Sequence, residues 1–193
     1  MTSQELKKSE RTRLAILHSA RAAFLQRGYD QVGLREIAAG ADVTAALVNR
    51  YFGSKQGLLK EVLRDDNDYS ELYEGVQEEM GLRMARFLIT GYLTRKSGEL
   101  LDCNTDRLLI FVRSLGCEEA MPILREHVAE RISGPLTKVL PGEHREAKAS
   151  LLISHFFGFL VVHKVVGAAC ATRADTEAVE RQLAASLQTI IDS

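Results

Sequence analysis

Proline is nearly missing from this chain. Its 193 residues hold three, Pro122, Pro135 and Pro141, so nothing before position 122 carries the residue that most often interrupts a helix. Apolar spacing then selects helix over strand. From Arg11 to Arg27 the apolar positions Leu14, Leu17, Ala20, Phe24 and Leu25 recur at helical intervals, and Gly28 follows where a helix tends to close in a left-handed residue. Leu34 to Ala41 reads as a short second helix with Gly33 at its N-cap and Leu34, Ile37, Ala38 and Ala41 on one side. Thr44 caps a third helix running to about Phe52, with Val48, Tyr51 and Phe52 facing inward. Gly53 ends it, and Ser54 caps a fourth helix carrying Leu58, Leu59, Val62 and Leu63.

Longer helices are predicted beyond, at about 71–95, 104–115, 118–140, 143–170 and 175–192, with joints near Gly98, Gly116 and Pro141-Gly142. Phe156 to Val166 is rich in Phe and Val and competes as a strand, but its length and helical surroundings favour a buried helix. The predicted fold is all-α. The acidic run Asp65-Asp66-Asn67-Asp68 marks the expected boundary between residues 1–63 and 64–193.

Charge divides along the same line. Residues 1–60 hold ten Lys/Arg against five Asp/Glu, while residues 61–193 hold fifteen against twenty-one. A basic first third points to a polyanionic partner, although segregation of solvated surface charge explains the same numbers. The three cysteines, Cys103, Cys117 and Cys170, form no CxxC pattern, and their odd number fits a reducing compartment. The stretch before Arg13 is polar and unlike a signal peptide, and the longest nearly apolar run, between Lys148 and Lys164, has 15 residues where a membrane span needs about 20. A cytoplasmic location and no membrane partner are expected, as are no metal and no cofactor.

Leu34 to Phe52 is the most informative segment. Two short helices, a tight turn and small residues at the crossing describe a helix-turn-helix, with Asp42 at a turn position that requires positive φ. Thr44, Ala45, Ala46, Leu47, Asn49 and Arg50 then face outward. Asn pairs with adenine and Arg with guanine through two hydrogen bonds each, and Ala or Leu can touch a thymine methyl. Any tight helical corner with Asn49 and Arg50 merely solvated has the same pattern, and the residues alone leave both readings open.

From Ala15 to Leu63 the sequence also resembles the N-terminal domain of TetR-family transcriptional regulators. The matching positions are Ile16-Leu17, Ala20, Phe24, Gly28-Tyr29, Ile37-Ala38, Val43-Thr44 and the run Tyr51-Phe52-Gly53-Ser54-Lys55 with Leu58-Leu59. The stretches Leu151 to Gly158 and Ala184 to Ile191 are loosely similar to C-terminal domains found in part of that family. The resemblance implies a three-helix DNA-binding head followed by a helical bundle for effector binding and dimerisation. It implies that Thr44 caps the recognition helix and meets phosphate, that Ala45, Ala46, Leu47 and Arg50 face the major groove, and that Tyr51 and Lys55 bind the DNA backbone. Arg35 would bind phosphate across the groove, and Lys7, Lys8, Arg11 and Arg13 would either add phosphate contacts or form a solvated tail. Three positions depart from the family pattern: Asp42 replaces the usual glycine, Asn49 stands where a phosphate-contacting tyrosine is common, and Val32-Gly33 replaces a Thr/Ser pair.

In the second part, the predicted 143–170 helix is apolar on more than one side. One row is Leu152, Phe156, Phe159, His163 and Val166, and another is Leu151, Gly158, Val161 and Val165. A helix apolar nearly all round needs cover on both sides, and a second copy is the natural cover for one of them. The final helix adds the stripe Val179, Leu183, Leu187, Ile190 and Ile191. Paired helices from two chains would form a twofold interface and present two reading heads to a palindromic operator in double-stranded DNA. The resemblance further implies an apolar small-molecule effector in the bundle. Its candidate lining is Met84, Phe87, Leu88, Leu108, Phe111, Phe156 and Phe159, with Cys103, Arg107 and His155 as polar anchors.

No GxSxG, HExxH, GxxxxGK[ST] or GxGxxG occurs, and an enzyme is the weakest reading. The leading expectation is an effector-responsive homodimeric DNA-binding repressor. The alternative is a helical small-molecule-binding dimer without sequence-specific DNA binding.

Overall fold

The computed structural model of the chain describes residues 3–64, 70–73, 75–94, 100–102, 105–168 and 172–193. They fold as two compact units, Met1–Arg64 with Asp106–His127, and Asp65–Thr105 with Val128–Ser193. The acidic run, the Gly98 joint, Cys103 and Cys170 lie outside the described residues.

The first unit opens with α1, Ser3–Arg27. It begins well before the predicted start at Arg11, because residues 3–10 contain Gln, Glu and Lys, all good helix formers, and no Gly or Pro. Ile16, Ala20 and Phe24 repeat every four residues on one face and are fully buried. At Gly28 the backbone turns to φ +80°, and a Cβ there would lie 2.6 Å from the Arg113 carbonyl oxygen. Both the turn and the close approach therefore demand glycine.

Three short helices follow: α2 (Leu34–Gly40), α3 (Ala45–Phe52) and α4 (Lys55–Leu63). Two more belong to the same unit, α7 (Thr105–Ser114) and most of α8 (Met121–Val128). Ile110, Ala120 and Leu124 complete a core shared with Ile37, Val48, Leu58, Leu59 and Val62. Burying each large aliphatic side chain is worth about 1.5–3 kcal/mol. Arg21 pairs with Asp106 at 3.1 Å, and Lys60 pairs with Glu126. The first unit is therefore larger than its four N-terminal helices.

The second unit corrects several predicted spans. The helix expected at 71–95 is divided into α5 (Ser70–Tyr73), a 3-10 turn (Gln77–Glu79) and α6 (Met80–Thr90). Gly91 ends α6 in a left-handed residue at φ +76°. Strand formers follow it, and β1 (Tyr92–Thr94) pairs antiparallel with β2 (Leu100–Asp102), Leu93 opposite Leu101. This short ribbon is an addition to the predicted all-helical fold. The helix expected at 118–140 also changes character. A π-helical turn at Ala129–Ser133 precedes α9 (Gly134–Val139), whose first turn holds Pro135. Proline donates no backbone hydrogen bond and crowds the preceding turn, and a widened turn accommodates both defects.

The long apolar helix is α10, Arg145–Leu160, continued by a π-helical turn at Val161–Val165 and ended near Gly167. Of the stretch Phe156 to Val166 expected as helix, Phe156 to Val165 is helical and Val166 is a bend. The last helix, α11 (Arg173–Asp192), starts with a reciprocal cap: Asp175 N–H donates to Thr172 Oγ1 at 3.1 Å, and Thr172 N–H donates to the Asp175 carboxylate at 3.0 Å. It packs closely on α6. A Cβ on Gly81 would meet the Ala184 carbonyl oxygen at 2.6 Å, and Gly81 N–H instead donates to Gln188 Oε1 at 2.9 Å. The buried Lys148 donates from Nζ to the carbonyls of Pro141 and Ile191, both at 3.2 Å, and so ties the end of α11 to the loop before α10.

Candidate nucleic-acid interface

The turn between α2 and α3 sets the geometry of the head. Val43 N–H donates to the Ala38 carbonyl at 2.9 Å, and Asp42 N–H donates to the Ala39 carbonyl at 3.2 Å. These two bonds form a Schellman closure, which requires a left-handed residue between them. Asp42 supplies it at φ +53°. Val43 then packs on the core, and the chain leaves toward α3 in an extended Thr44. Thr44 Oγ1 accepts from Leu47 N–H at 3.3 Å, and Ser54 Oγ accepts from Gly57 N–H at 3.0 Å to start α4. Val48 is buried, with Tyr51 and Phe52 packed beside it.

This leaves one open face on α3. Thr44, Ala46, Asn49 and Arg50 are exposed, as is Arg35 early in α2. Ala45 and Leu47 are half-buried, and Ala45 packs on the core, so its share of the outer face is smaller than expected. Arg35 and Arg50 have no carboxylate partner among the described residues, while Arg27 is paired with Glu36.

The backbone-binding candidates are anchored from behind. Tyr51 Oη lies 3.0 Å from Ser9 Oγ on α1. The Lys55 ammonium sits 4.0 Å from the Tyr29 ring centre, and the Tyr29 hydroxyl donates to Glu119 at 3.3 Å. Burial first, then the Glu119 charge, push the Tyr29 hydroxyl up to about 12. Sequence reasoning missed Ser9 and Glu119, because no local pattern marks partners 42 and 90 residues away. Of the basic arm, Lys7, Lys8 and Arg11 stand on α1 as exposed helical residues. Arg13 does not join them: it pairs with Glu61 and lies over the Phe52 ring at 5.4 Å.

The effector and interface candidates separate. Arg107, Leu108 and Phe111 fold with the first unit, where Leu108 is buried and Phe111 packs on the core. In the second unit Met84, Phe87 and Leu88 are buried on α6, and Phe87 stacks on Phe156 at 6.0 Å between centres. Phe159 stacks on His163 at 4.0 Å. His155 is engaged at both ring nitrogens, Nδ1 with the Leu151 carbonyl at 2.9 Å and Nε2 with Ser186 at 3.4 Å. Leu187 is fully buried inside its own chain, so it serves the core and not an open face. Leu151, Gly158 and Val165 are exposed, with Val161, Leu183 and Ile190 partly covered.

A family model described as bacterial regulatory proteins of the tetR family matches residues 16–62, and one described as tetracyclin repressor-like, C-terminal domain, matches residues 78–191. A probable HTH-type transcriptional regulator of Bacillus subtilis, YttP, is 36% identical over 69 residues, a stretch spanning 36% of this chain and 30% of that protein. Among solved structures, NalD, the secondary repressor of the MexAB-OprM multidrug efflux pump in Pseudomonas aeruginosa, superposes with TM-score 0.68 at 20% identity, over 92% of this chain and 95% of that one. A TetR-family regulator from Streptomyces coelicolor superposes with TM-score 0.61 at 23% identity, over 95% and 96% of the two chains. At such identities these two structures speak for the fold alone.

Proposed function

The chain belongs to the TetR family of bacterial regulatory proteins, and from that premise we propose that it is a homodimeric, effector-responsive regulator of transcription that represses from a palindromic operator. The observation that carries this reading is the open face of α3. A Schellman-closed turn holds the helix against a complete core, and Ala46, Asn49 and Arg50 project from it beside Arg35, with no carboxylate claiming either cation among the described residues. Small residues at the N-terminal end of α3 let the backbone approach a groove floor, and Arg50 and Asn49 offer direct readout of guanine and adenine. Thr44, Arg35, Tyr51 and Lys55 supply phosphate contacts that set register.

In this proposal residues 1–63 read DNA, braced by residues 106–127 of the same unit, and the second unit receives the effector and the second copy. Leu151, Val162 and Val165 are 52%, 46% and 37% exposed at helical spacing on α10 and its π-helical continuation, an apolar face that a second chain would cover. A second chain covering it would set the spacing of two heads, which a palindrome reads about one helical turn apart. Effector and operator would then favour different spacings, and each would weaken the other's binding by the same factor. NalD is described as a repressor, which supports the sign of regulation proposed here. In this proposal the protein works in the cytoplasm, where its DNA is. Among the described residues no helix is long and apolar enough to cross a membrane.

Footprinting on the DNA flanking this protein's own coding region tests the reading. A protected, twofold-symmetric site with steep loss of affinity as salt rises is expected. Uniform salt-dependent retention of all fragments, without a protected site, would favour an effector-binding dimer that has lost sequence reading.

A further inference from the structure

Arg83 lies on α6, and among the described residues one side of its guanidinium is occupied while the other meets no acceptor. Nη1 donates to the Val76 carbonyl at 3.0 Å and stands 3.9 Å from the Glu79 carboxylate. Nε and Nη2 are buried, and neither meets an acceptor among the described residues. The side chain as a whole is 22% exposed. Nε and Nη2 form the edge that receives two carboxylate oxygens side by side. A buried charged donor left without an acceptor is costly, and native structures rarely keep one without a reason.

The surroundings indicate what would fill that edge. At Gly75 the chain passes the guanidinium without a side chain, where a Cβ would lie 3.5 Å from Nη1 and 3.8 Å from Nη2. Met80 and Phe87 stand three residues before and four after Arg83, on the same stripe of α6, and Phe87 is stacked on Phe156. A forked cationic edge therefore adjoins an apolar, aromatic stripe that is packed in the core, with Met80 and Phe87 buried, so an apolar body lies along it only where that packing opens. A neutral apolar molecule would leave the fork unsatisfied, and a small inorganic anion would make no use of the aromatic pair.

We propose that Arg83 receives the carboxylate of a small organic acid whose apolar body lies along the Phe87 stripe. This deepens the effector reading above and rests on the second unit being the effector-binding part. It also replaces the expected polar anchors: His155 is already engaged, and Arg107 belongs to the first unit.

Calorimetric titration of the full chain with sodium octanoate and sodium phenylacetate, each against its neutral amide, tests the proposal. At least one acid is expected to bind about ten- to a hundredfold tighter than its amide, the range that a charge-assisted pair contributes. Arg83→Gln should erase that gap while leaving amide binding in place, and Arg83→Lys should recover part of it, since lysine restores the charge without the fork. Equal binding of acid and amide, unchanged acid affinity in Arg83→Gln, or no saturable binding by either acid would each overturn it. If the glutamine variant fails to fold, the wild-type comparison and the lysine variant still decide. Promoter-fragment retention by the unliganded chain is measured in parallel. Lost retention with a persisting acid–amide gap would remove the regulator reading and leave this one standing; retained DNA binding without the gap would do the reverse.

Discussion

Lys55 and Glu119 are joined through one tyrosine ring. The lysine ammonium rests on the face of Tyr29, and the Tyr29 hydroxyl donates to the Glu119 carboxylate in the turn between α7 and α8. The proposed backbone-binding cation is thus positioned by a residue far along the chain, and its reach toward DNA depends on that turn.

Lys55 and Arg50 should therefore differ in kind. Lys55→Ala should weaken binding to all DNA sequences alike and lower the salt slope by about one ion. Arg50→Ala should cost about 1–3 kcal/mol on the preferred site and less on others, so discrimination falls. Tyr29→Leu should resemble a mild Lys55 variant, with affinity reduced about two- to fivefold through loss of the cation–π contact. Fluorescence anisotropy on specific and scrambled duplexes at several salt concentrations separates these outcomes. Equal loss of discrimination from Arg50 and Lys55 variants would contradict the assignment.

Alkaline pH should loosen the head. Tyr29 is pushed up to about 12, by burial first and then by Glu119, against about 10 in an unfolded chain. The fold favours the protonated phenol, so that contribution is complete below pH about 10 and is lost as pH rises through about 12. Tyr73 behaves alike, raised to about 12 by burial. Phenolate absorbance and helical circular dichroism should change together in this window, and Tyr29→Phe should move the alkaline midpoint upward. A midpoint unmoved by that change counts against the assignment.

Asp42→Gly should help twice. The left-handed position at φ +53° is costlier for aspartate than for glycine, so stability should rise by up to about 1 kcal/mol. Removing a carboxylate from the turn before α3 should also raise DNA affinity, most clearly at low salt. Thermal denaturation and anisotropy read the two effects separately, and a drop in both would show that the carboxylate has an unassigned partner.

Leu151→Glu with Val165→Glu should leave each chain folded and separate the proposed dimer, because both side chains are exposed on a single chain. Sedimentation should report a monomer with unchanged helix content, and operator affinity should collapse. A dimer that survives both charges would move the interface elsewhere.

Much of the reading head was legible because its determinants are local. The caps at Thr44 and Ser54, the left-handed Asp42 and the closing Gly28 each act within three to five residues, and turn chemistry of that range is written in consecutive letters. Long-range partners were not. The ribbon depends on Tyr92–Thr94 pairing with Leu100–Asp102, the pairing of Arg13 with Glu61 spans 48 positions, and the Arg83 edge that meets no acceptor among the described residues is set by where α6 and Val76 come to lie. The order of letters determined helices, their ends and which stripe of each must be hidden. Folding alone decided what hides it: residues 106–127 complete the first unit's core, and Leu187 lies within the second's. Periodicity records that a face leaves water, whereas the choice of covering surface is made by shape and closure among segments far apart in the chain.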